Sequence, residues 1–438
     1  MPAERYAAER TMAKVVMKFG GTSVGDPQRI RRCAQRIAQS AANGDSVAVV
    51  VSAMGHTTDE LIALAESVSP VPPRRELDVL MATGEQVSAS LMAMALQEIG
   101  LDAESLTGAQ AGIHTDGVYG RSKVTRVDSA PLESRMKQGS IPVVCGFQGL
   151  APNGDLTTLG RGGSDTTAVA IAAALGVDDT SGSCQIFTDV DGVYTADPRL
   201  VPRAAKLARI TYEEMLELAA LGAGVMHPRA VVFGEKFGVP IHVRHSQRPE
   251  PGTMIVKETP QMEDIAVVGC ALKPDLGRVS FRRIPRPVGV QGRIFEAIAR
   301  ANISVDDIVQ TEFGDQTTIS FTVEHGDLAD VKDVAGEIVS GFGTGELAIE
   351  VGLAKVSIVG VGMKSHAGIA SRMFRALGDA QITIHNITTS EIKISCIVDK
   401  ANGQKALEAV HDAFRLELGS QVRSAQQSDA PGNAAAAG

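Results

Sequence analysis

Apolar runs and helix-like repeats alternate along about the first 255 residues of the chain. Unbroken runs rich in β-branched residues indicate buried strands, and they occur at Val15–Phe19, Ser46–Ala53, Ile141–Cys145 and Cys184–Val190. Apolar residues at helical spacing predict helices over Pro27–Ser40, Thr58–Ser67, Leu77–Ile99 and Asp165–Gly176. We expect the third of these helices to break near Gly84. The β-α-β-α order with short glycine-containing links predicts an α/β domain, with a mostly parallel sheet covered on both faces.

A change of pattern follows the proline-containing stretch Arg248–Gly252, and beyond it the chain repeats itself. Phe295–Ile303 aligns with Phe374–Ile382, and the matched pairs lie 79 positions apart. Each copy is predicted to form a strand, a glycine-containing turn, a helix, two strands and a second helix, which are five elements of the ferredoxin-like β-α-β-β-α-β motif. Two regulatory modules are favoured over two modules that bind nothing. The predicted boundaries are 14–255 for the α/β domain, 265–343 and 354–423 for the modules, and 424–438 for a disordered tail.

The composition is that of a soluble globular protein. Of 438 residues, 44% are hydrophobic and 21% charged, and this length suggests about two to four domains. The 51 acidic residues exceed the 42 basic ones and tryptophan is absent, so a general nucleic-acid binder is not expected. The five cysteines are scattered singly, which argues against a zinc ribbon and favours reduced thiols. Without a signal peptide or an apolar run of about 18–20 residues, we expect a cytoplasmic protein with no membrane partner.

Two glycines after the first predicted strand form a candidate phosphate site. In Lys18–Val24 (KFGGTSV), no side chain obstructs the backbone N–H groups of Gly20 and Gly21. Lys18 places a cation at the end of the strand. The spacing differs from that of a Walker A loop, in which the lysine follows the second glycine. A tight turn without a ligand is the alternative.

Two further segments carry charged residues beside turns. Gly160–Thr167 (GRGGSDTT) places Asp165 at a predicted helix start, and the planar guanidinium of Arg161 suits a carboxylate or a phosphate. A plain helix cap at Ser164 or Asp165 would explain neither Arg161 nor the paired glycines. Thr188–Arg199 (TDVDGVYTADPR) follows a predicted strand, and open α/β sheets bind ligands at the carboxyl ends of their strands. A turn with an Asp-Pro bend is the alternative for this segment.

Glu85 interrupts an apolar helical stretch, where it either faces solvent or receives a substrate ammonium group. The signatures of protein kinases, serine hydrolases, zinc proteases and dinucleotide-binding folds are absent from the sequence. The nine histidines form no cluster with metal-ligand spacing, so no protein-held metal site is predicted.

Together, the motifs resemble those of the aspartate kinase family. Five occur in order: KFGGTSV at 18–24, SAMGHTTDE at 52–60, TGEQV at 83–87, RGGSDTTA at 161–168 and TDVDGVYTADPR at 188–199. Glu213–Ala230 and Lys355–Ile369 extend the resemblance, which covers about Lys14 to Leu418. It implies an αβα-sandwich amino-acid-kinase domain followed by two ACT domains, in agreement with the repeat. It also implies ATP-dependent phosphorylation of the β-carboxylate of L-aspartate, the first step toward lysine, threonine, methionine and, in many bacteria, diaminopimelate.

The resemblance assigns roles to individual residues. Lys18 meets the transferring phosphoryl group, Asp165 orients Lys18 or a metal-bound water, Glu85 pairs with the substrate ammonium and Arg161 with a substrate carboxylate. The implied aspartate-binding residues are Ser52, Thr58, Glu85, Arg161, Gly162, Gly163 and Ser164. The implied ATP-binding residues are Lys18, Phe19, Gly20, Gly21, Thr22, Ser23, Phe187, Thr188, Asp189, Val193, Tyr194, Thr195, Ala196, Asp197, Pro198 and Arg199. The implied effector-binding residues are Asp306, Gln310, Ser365, His366, Ala367, Gly368, Ile369, Asn386, Thr388, Thr389, Ser390 and Glu391. The implied partners are L-aspartate, ATP with Mg²⁺, lysine or threonine or both as effectors, and further copies of the chain.

Three positions depart from the family's usual pattern. Gly224 stands where members often have a lysine that contacts the nucleotide. Arg286 replaces the acidic residue that commonly contacts an effector amine in the first module, and Ala367 replaces a proline in the second. The second module keeps its motif better, so we expect it to supply more of the effector-binding energy.

Two alternative functions are considered. Other enzymes of the amino-acid-kinase fold, such as glutamate 5-kinase or a uridylate kinase, would not be expected to carry this pair of modules. An amino-acid sensor with an inactive kinase domain is the second, and the presence of Lys18, Glu85, Arg161 and Asp165 argues against it.

Overall fold

A computed structural model describes residues 13–222, 225–258, 266–301 and 303–419. The chain divides into two compact units. Within the described residues, the first unit contains everything up to Tyr194 and the stretch from Lys206 to residue 258. The second unit contains Thr195–Ala205 and everything from residue 266 onward. Position 224 and the predicted tail at 424–438 lie outside the described residues.

The first unit is an α/β sandwich with seven α-helices and twelve strands in its described part. Its helices are α1 (Pro27–Ala42), α2 (Thr57–Val68), α3 (Arg74–Glu98), α4 (Ala130–Lys137), α5 (Gly163–Ala174), α6 (Tyr212–Ala220) and α7 (Pro228–Phe237). Its strands are β1 (Lys14–Phe19), β2 (Ser46–Val51), β3 (Ala103–Leu106), β4 (Ile113–Thr115), β5 (Val124–Val127), β6 (Ile141–Cys145), β7 (Gln148–Leu150), β8 (Leu156–Thr158), β9 (Gly182–Thr188), β10 (Arg209–Thr211), β11 (Ile241–His245) and β12 (Thr253–Val256).

Eight of these strands form the main sheet, in the order β10-β12-β11-β9-β1-β2-β6-β3. All neighbours are parallel except β11 and β12, which confirms the expected mostly parallel sheet. Phe19 lies opposite Val51 and Phe187, so β1, β2 and β9 end side by side. The carboxyl ends of the central strands therefore form one edge, where open α/β sheets bind their ligands. A second sheet has the order β5-β4-β7-β8.

Helix α3 runs without interruption through Gly84, so the predicted break is wrong. A Cβ atom at position 84 would lie 2.8 Å from Cβ of Ala53, so glycine lets the helix approach that segment closely. By length and composition α3 is the one helix of the described ranges that could cross a membrane, with a mean hydropathy of 1.3 in its most apolar window. Core helices meet the same criterion, and Met92 and Leu96 of α3 are fully buried.

The second unit contains one six-stranded antiparallel sheet, in the order β14-β15-β13-β16-β18-β17. Its strands are β13 (Gly269–Pro285), β14 (Asp306–Phe313), β15 (Gln316–Glu324), β16 (Glu346–Val359), β17 (Asn386–Thr389) and β18 (Lys393–Asp399). Its helices are α8 (Val290–Arg300), α9 (Leu328–Phe342), α10 (Ile369–Asp379) and α11 (Gly403–Ala413).

The two long strands of this sheet, β13 and β16, serve both copies of the repeat. The second half of β13 pairs with β15, and the second half of β16 pairs with β18. The pairing of β13 with β16 runs through both halves and gives each copy the sixth element of its motif. Each copy has its own apolar core, one around Phe281 and Phe321 and the other around Met373 and Val410. The expected ferredoxin-like modules are confirmed, and they share one sheet.

The segment Thr195–Ala205 packs into the core of the second unit. Ala196 and Val201 are buried there with residues of β16 and α11. Cys270 N donates to Thr195 O (2.8 Å), and a hydrogen bond of 3.1 Å joins Thr195 Oγ1 to His411 Nε2. The compact units are therefore not contiguous along the chain, unlike the predicted boundary at residue 255.

Candidate active site

A cavity of about 460 Å³ opens in the first unit beside the ends of β1 and β2. It is lined by Lys18, Gly21, Ser52, Ala53, Gly55, Thr58, Asp59, Ile62, Met81, Glu85, Gly120, Phe147, Gly160, Arg161, Gly162, Gly163, Ser164 and Asp165. The structure thus brings together both predicted catalytic residues and all seven predicted aspartate-binding residues.

Lys18 and Asp165 form a buried ion pair in this cavity. Lys18 is the next-to-last residue of β1 and only 8% exposed, and its Nζ lies 2.6 Å from Oδ1 of Asp165. Asp165 lies in the first turn of α5, where the helix dipole also favours a negative charge. A cation is therefore held at the strand end by a carboxylate, ready to meet a negatively charged ligand.

The glycine turn after β1 leaves no room for a side chain at Gly21. Gly20 N donates to Phe187 O (3.1 Å), which ties the turn to the end of β9. A Cβ atom at Gly21 would lie 2.8 Å from the carbonyl oxygen of Ala53. The rings of Phe19 and Phe187 stack with centroids 4.8 Å apart, below this turn. Stacking and backbone bonds together fix the two strand ends that border the predicted phosphate site.

Glu85 is an acidic group buried inside the cavity wall. It lies in the middle of α3 and is 3% exposed, so the solvent-facing alternative is wrong. Its Oε1 accepts a hydrogen bond from Ala53 N (3.0 Å), whereas Oε2 has no partner among the described residues. Burial raises the pKa of Glu85 to about 7, against the smaller opposing effect of the Ala53 hydrogen bond. An ammonium group would satisfy the open oxygen and restore the charged form.

Arg161 faces the cavity from the loop between β8 and α5. It is exposed, and no carboxylate pairs with it in the part of the chain that the structure describes. The cavity therefore combines a buried carboxylate at Glu85 with an open guanidinium at Arg161. A zwitterionic amino acid with a second carboxylate matches both groups.

The predicted nucleotide residues fall into two groups. Phe19–Ser23, Phe187–Asp189 and Val193–Tyr194 belong to the first unit, around the ends of β1 and β9. Thr195–Arg199 belong to the second unit. Thr195 and Ala196 are 0% and 4% exposed, so their side chains are used in packing. Any nucleotide contact from these two residues is left to the backbone.

Sequence reasoning missed three parts of the cavity. Ala53 contributes a backbone N–H to Glu85, Gly120 borders the Arg161 side, and Phe147 lines the wall. Phe147 has a φ of +69°, a strained conformation for a bulky residue that is typical of functional sites. Gly120 and Phe147 lie outside the motifs found in the sequence, and Ala53 lies within SAMGHTTDE but contributes through its backbone N–H.

In the second unit, several predicted effector residues lie near a buried lysine. Lys355 forms ion pairs with Asp306 and, at 3.0 Å, with Asp307 Oδ2. Thr388 Oγ1 donates to Asp307 Oδ1 (2.9 Å), so β17 and the start of β14 meet. Burial opposes the charge of Lys355, but the two carboxylates outweigh it and raise its pKa. Lys355 was not predicted.

The other predicted effector residues have a variety of neighbours. Gln310 bonds with Gln291 (2.8 Å), and Glu391 pairs with Lys364 (2.7 Å) at the surface. Arg286 pairs with Glu312 (2.7 Å), so its charge is compensated within the first copy. His366 to Ile369 precede and begin α10, and the side chain of Ser365 lies outside what the structure describes.

Comparison with known proteins gives the class first. Residues 13–245, which include every residue lining the cavity, match the amino acid kinase family, and residues 356–414 match an ACT domain. The chain is thus a member of the amino acid kinase class that also carries an ACT domain, a regulatory type of domain.

The relatives give the family within that class. The chain is 47% identical to aspartokinase 2 of Bacillus subtilis over 92% of its length and 98% of that protein. It is 47% identical to an aspartokinase of Thermus thermophilus over 93% of its length and all of that protein. The structure of E. coli aspartokinase III with aspartate and ADP superposes with a TM-score of 0.77, at 25% identity over 91% of this chain and 99% of that one. The chain belongs to the aspartokinase family and is an enzyme of that family, as the motifs predicted.

Proposed function

We propose that the chain transfers the γ-phosphoryl group of ATP to the β-carboxylate of L-aspartate, giving 4-phospho-L-aspartate. The observation that carries the proposal is the single cavity in which Glu85, Arg161 and the Lys18–Asp165 pair converge. Membership of the aspartokinase family supports it. A solved relative of similar fold holds aspartate and ADP, which fits the same pair of ligands.

The chemistry needs charge neutralisation more than proton transfer. A side-chain carboxylate has an unperturbed pKa of about 3.9 and is ionised at neutral pH, so no general base is required. The nucleophile and the phosphoryl group are both anionic, and positioning with electrostatic stabilisation is the main task. Lys18 supplies the positive charge, and Asp165 holds Lys18 in place. In the glycine turn, Gly20 N already donates to Phe187 O, so Gly21 is the glycine whose N–H can reach a phosphate.

The residues present fit a magnesium ion that arrives with ATP. Asp165 places a carboxylate in the cavity, and one or two carboxylates beside phosphate oxygens are the usual protein contribution to Mg²⁺. Asp165 would be the residue to hold it. The ion supplies neutralisation of phosphate charge when bound.

Trapping the acyl phosphate tests this function. The purified chain is incubated with ATP, Mg²⁺ and one carboxylate at a time, and hydroxylamine converts any acyl phosphate to a hydroxamate. We expect hydroxamate with L-aspartate and little with L-glutamate. Hydroxamate formed from glutamate would favour another carboxylate kinase of this fold. Release of ADP with a nucleoside monophosphate as acceptor, without hydroxamate, would favour a nucleotide kinase, and neither hydroxamate nor ADP with any acceptor would favour a sensor with an inactive kinase domain.

Arg161→Lys is expected to raise the KM for aspartate more than the KM for ATP. The substitution keeps the charge but loses the planar fork that binds a carboxylate through two hydrogen bonds. Steady-state kinetics with each substrate varied in turn measure both constants, and Arg121→Lys, nearby but absent from the cavity lining, is the control. A larger rise in the KM for ATP would place Arg161 on the nucleotide instead.

We further propose that lysine or threonine inhibits the enzyme by binding to the second unit, in copies of the chain assembled through its modules and working in the cytoplasm. Supporting this, the ACT-domain match covers the second copy, and a solved relative was obtained with lysine and aspartate in a T-state. The Asp306 carboxylate is 58% exposed even though it contacts Lys355, so an effector ammonium can still reach it. Thr388 of β17 supplies a hydroxyl group beside it, bonded to the neighbouring Asp307.

Thr389→Ile or Glu391→Ala is expected to weaken inhibition by lysine or threonine several-fold, with little change in uninhibited kcat. Both residues lie in or beside β17, outside the unit that holds the catalytic cavity. Dose–response curves for each amino acid, alone and together, provide the measurement.

Arg286→Asp is the matched comparison for these variants. It restores an acidic residue in the first copy and also removes the ion pair with Glu312. If only this change alters the response, the first copy carries the effector site. A wild-type enzyme indifferent to both amino acids would contradict the regulatory proposal altogether.

A further inference from the structure

Two loops border the cavity around Arg161. One runs from 118 to 122 and includes Gly120; the other, here called the Arg161 loop, runs from the last residue of β8, at 158, to the first residue of α5, at 163. They touch directly, since Ser122 N donates to Thr158 O (2.9 Å). The packing is close, because a Cβ atom at Gly160 would lie 3.2 Å from the carbonyl oxygen of Gly120. The placement of Arg161 therefore depends on how these two loops are held.

Arg229 bridges the two loops from α7. It lies in the first turn of that helix, partly buried, and does not line the cavity. Its Nη1 donates to Leu159 O (2.7 Å) and its Nη2 donates to Ser122 O (2.8 Å). A planar guanidinium with two donors in fixed geometry sets the spacing of two carbonyls in a way that a lysine cannot.

Asp78 bridges the same loops from α3. It is completely buried and also absent from the cavity lining. Its Oδ2 accepts hydrogen bonds from Gly120 N and Thr158 N, each at 2.9 Å, and its Oδ1 accepts one from Thr158 Oγ1 (2.7 Å). A buried carboxylate is costly unless it is hydrogen-bonded, and here three donors from the two loops satisfy it.

The Arg161 loop is also supported from below by the residue that caps α7. Gly162 has a φ of +68°, and a Cβ atom there would lie 2.1 Å from Cγ of His227. The imidazole thus packs on the glycine backbone next to Arg161. His227 Nδ1 accepts a hydrogen bond from Arg229 N (3.3 Å), which links this support to the Arg229 bridge.

We propose that Arg229 and Asp78 are positioning residues for substrate binding, which set the Arg161 loop from two sides without touching the substrate. The proposal rests on the proposed role of Arg161 in holding a carboxylate of aspartate. Loss of either bridge frees the loop, so the Arg161 guanidinium spends less time in the binding geometry. The glycine turn and Lys18 of β1 make their contacts with Phe187 and Asp165, outside these two loops, and keep them.

The test compares three variants, Arg229→Met, Arg229→Lys and Asp78→Asn, with the control Lys236→Met. Lys236 is a cation on α7, as Arg229 is, but it lies over the ring of Phe237 and makes no contact with either loop. We expect Arg229→Met to raise the KM for aspartate about tenfold, the lower end of what losing hydrogen bonds to a charged group costs. The KM for ATP should stay within twofold, and Arg229→Lys should recover part of the loss. Amide hydrogen exchange of residues 118–122 and 158–163, in the absence of substrate, should quicken in Arg229→Met and Asp78→Asn but not in Lys236→Met.

Hydrogen exchange separates this proposal from the proposed function. Faster exchange confined to the two loops supports positioning even if the wild-type enzyme uses another acceptor, in which case only the assignment to aspartate fails. Unchanged exchange in Arg229→Met, or equal rises in the KM for both substrates, overturns the positioning role. If Arg229→Met does not fold, Arg229→Lys and Asp78→Asn decide by the same two measurements.

Discussion

Lys18→Ala is expected to lower kcat for aspartate phosphorylation by about 10²–10³-fold in a protein that remains folded, as is typical when one preorganised electrostatic stabiliser is removed. Lys18 is buried at the end of β1 and held by Asp165 beside the glycine turn. Its charge is therefore fixed before the reaction begins. Single-turnover and steady-state rates of hydroxamate formation, with circular dichroism to check folding, measure the effect.

Lys14→Met is the matched control for this variant. Lys14 opens the same strand, and its Nζ donates to Leu175 O (2.7 Å), away from the cavity. It should keep a kcat close to that of the wild type. Near-normal turnover in folded Lys18→Ala would show that the phosphoryl group is neutralised elsewhere.

Glu85→Gln is expected to lower kcat/KM for aspartate by about 10²-fold or more. Removing one partner of a buried ion pair typically costs about 3–5 kcal/mol, and about 1.4 kcal/mol corresponds to tenfold. The amide is the same size as the carboxylate and can still accept the hydrogen bond from Ala53 N. What it lacks is the negative charge, and in the carboxylate the second oxygen is buried without a partner among the described residues.

The pH dependence of the same reaction provides an independent check on Glu85. Since the pKa of Glu85 in the empty cavity is about 7, the ionised form that binds an ammonium group becomes dominant above that pH. We expect kcat/KM for aspartate to rise as the pH increases through about 7, and this rise to be absent in Glu85→Gln. Glu98→Gln, at the exposed end of the same helix, should retain the wild-type profile.

The free energy of unfolding should fall as the pH rises, whereas kcat/KM for aspartate should rise. Glu85 has a raised pKa in the folded chain, so ionisation is easier after unfolding, and stability falls between about pH 4.5 and 7. Glu85→Gln removes this cost, so thermal unfolding at pH 8 should occur at a higher temperature than in the wild type. A variant that is both less stable and less active would indicate that Glu85 serves packing rather than binding.

Much of the first unit could be predicted because its strands are unbroken apolar runs. Val15–Phe19 and Ile141–Cys145 are buried on both faces, and this leaves a clear signal in the sequence. The short strands β7 and β8 were missed, since three residues give no periodicity. The low helix propensity of glycine predicts a break in α3 at Gly84. The helix continues, because glycine is required there for close packing against Ala53.

The second unit shows where local pattern is insufficient. The apolar pattern predicts the first strand of this unit over Gly277–Ile284. The strand begins eight residues earlier, at Gly269, and it passes through Asp275 with a φ of +59°. Proline, charged residues and glycine in this stretch disfavour a strand prediction. The strand forms because β16 pairs with it along its length. Long-range pairing, not propensity, decided the outcome.

For the candidate site, the sequence indicates which residue types could bind substrate, but it does not show how they are brought together in space. Lys18, Glu85 and Arg161 lie far apart in the chain, and only the family resemblance put them in one place before the fold was known. The backbone contribution of Ala53 and the bridges from Asp78 and Arg229 have no sequence signature. They arise from three-dimensional proximity, which a single sequence does not record.

The insertion of Thr195–Ala205 in the second unit affects how the chain can be shortened and how it folds during synthesis. This segment leaves the ribosome long before β16 and α11, whose residues share a core with Ala196 and Val201. Until β16 and α11 are synthesised, the apolar side chains of this segment stay exposed to solvent, which promotes aggregation or chaperone binding. A chain truncated after residue 258 would carry the same exposed segment permanently. Expression of the first unit by itself should therefore give a poorly soluble product unless these side chains are replaced by polar ones.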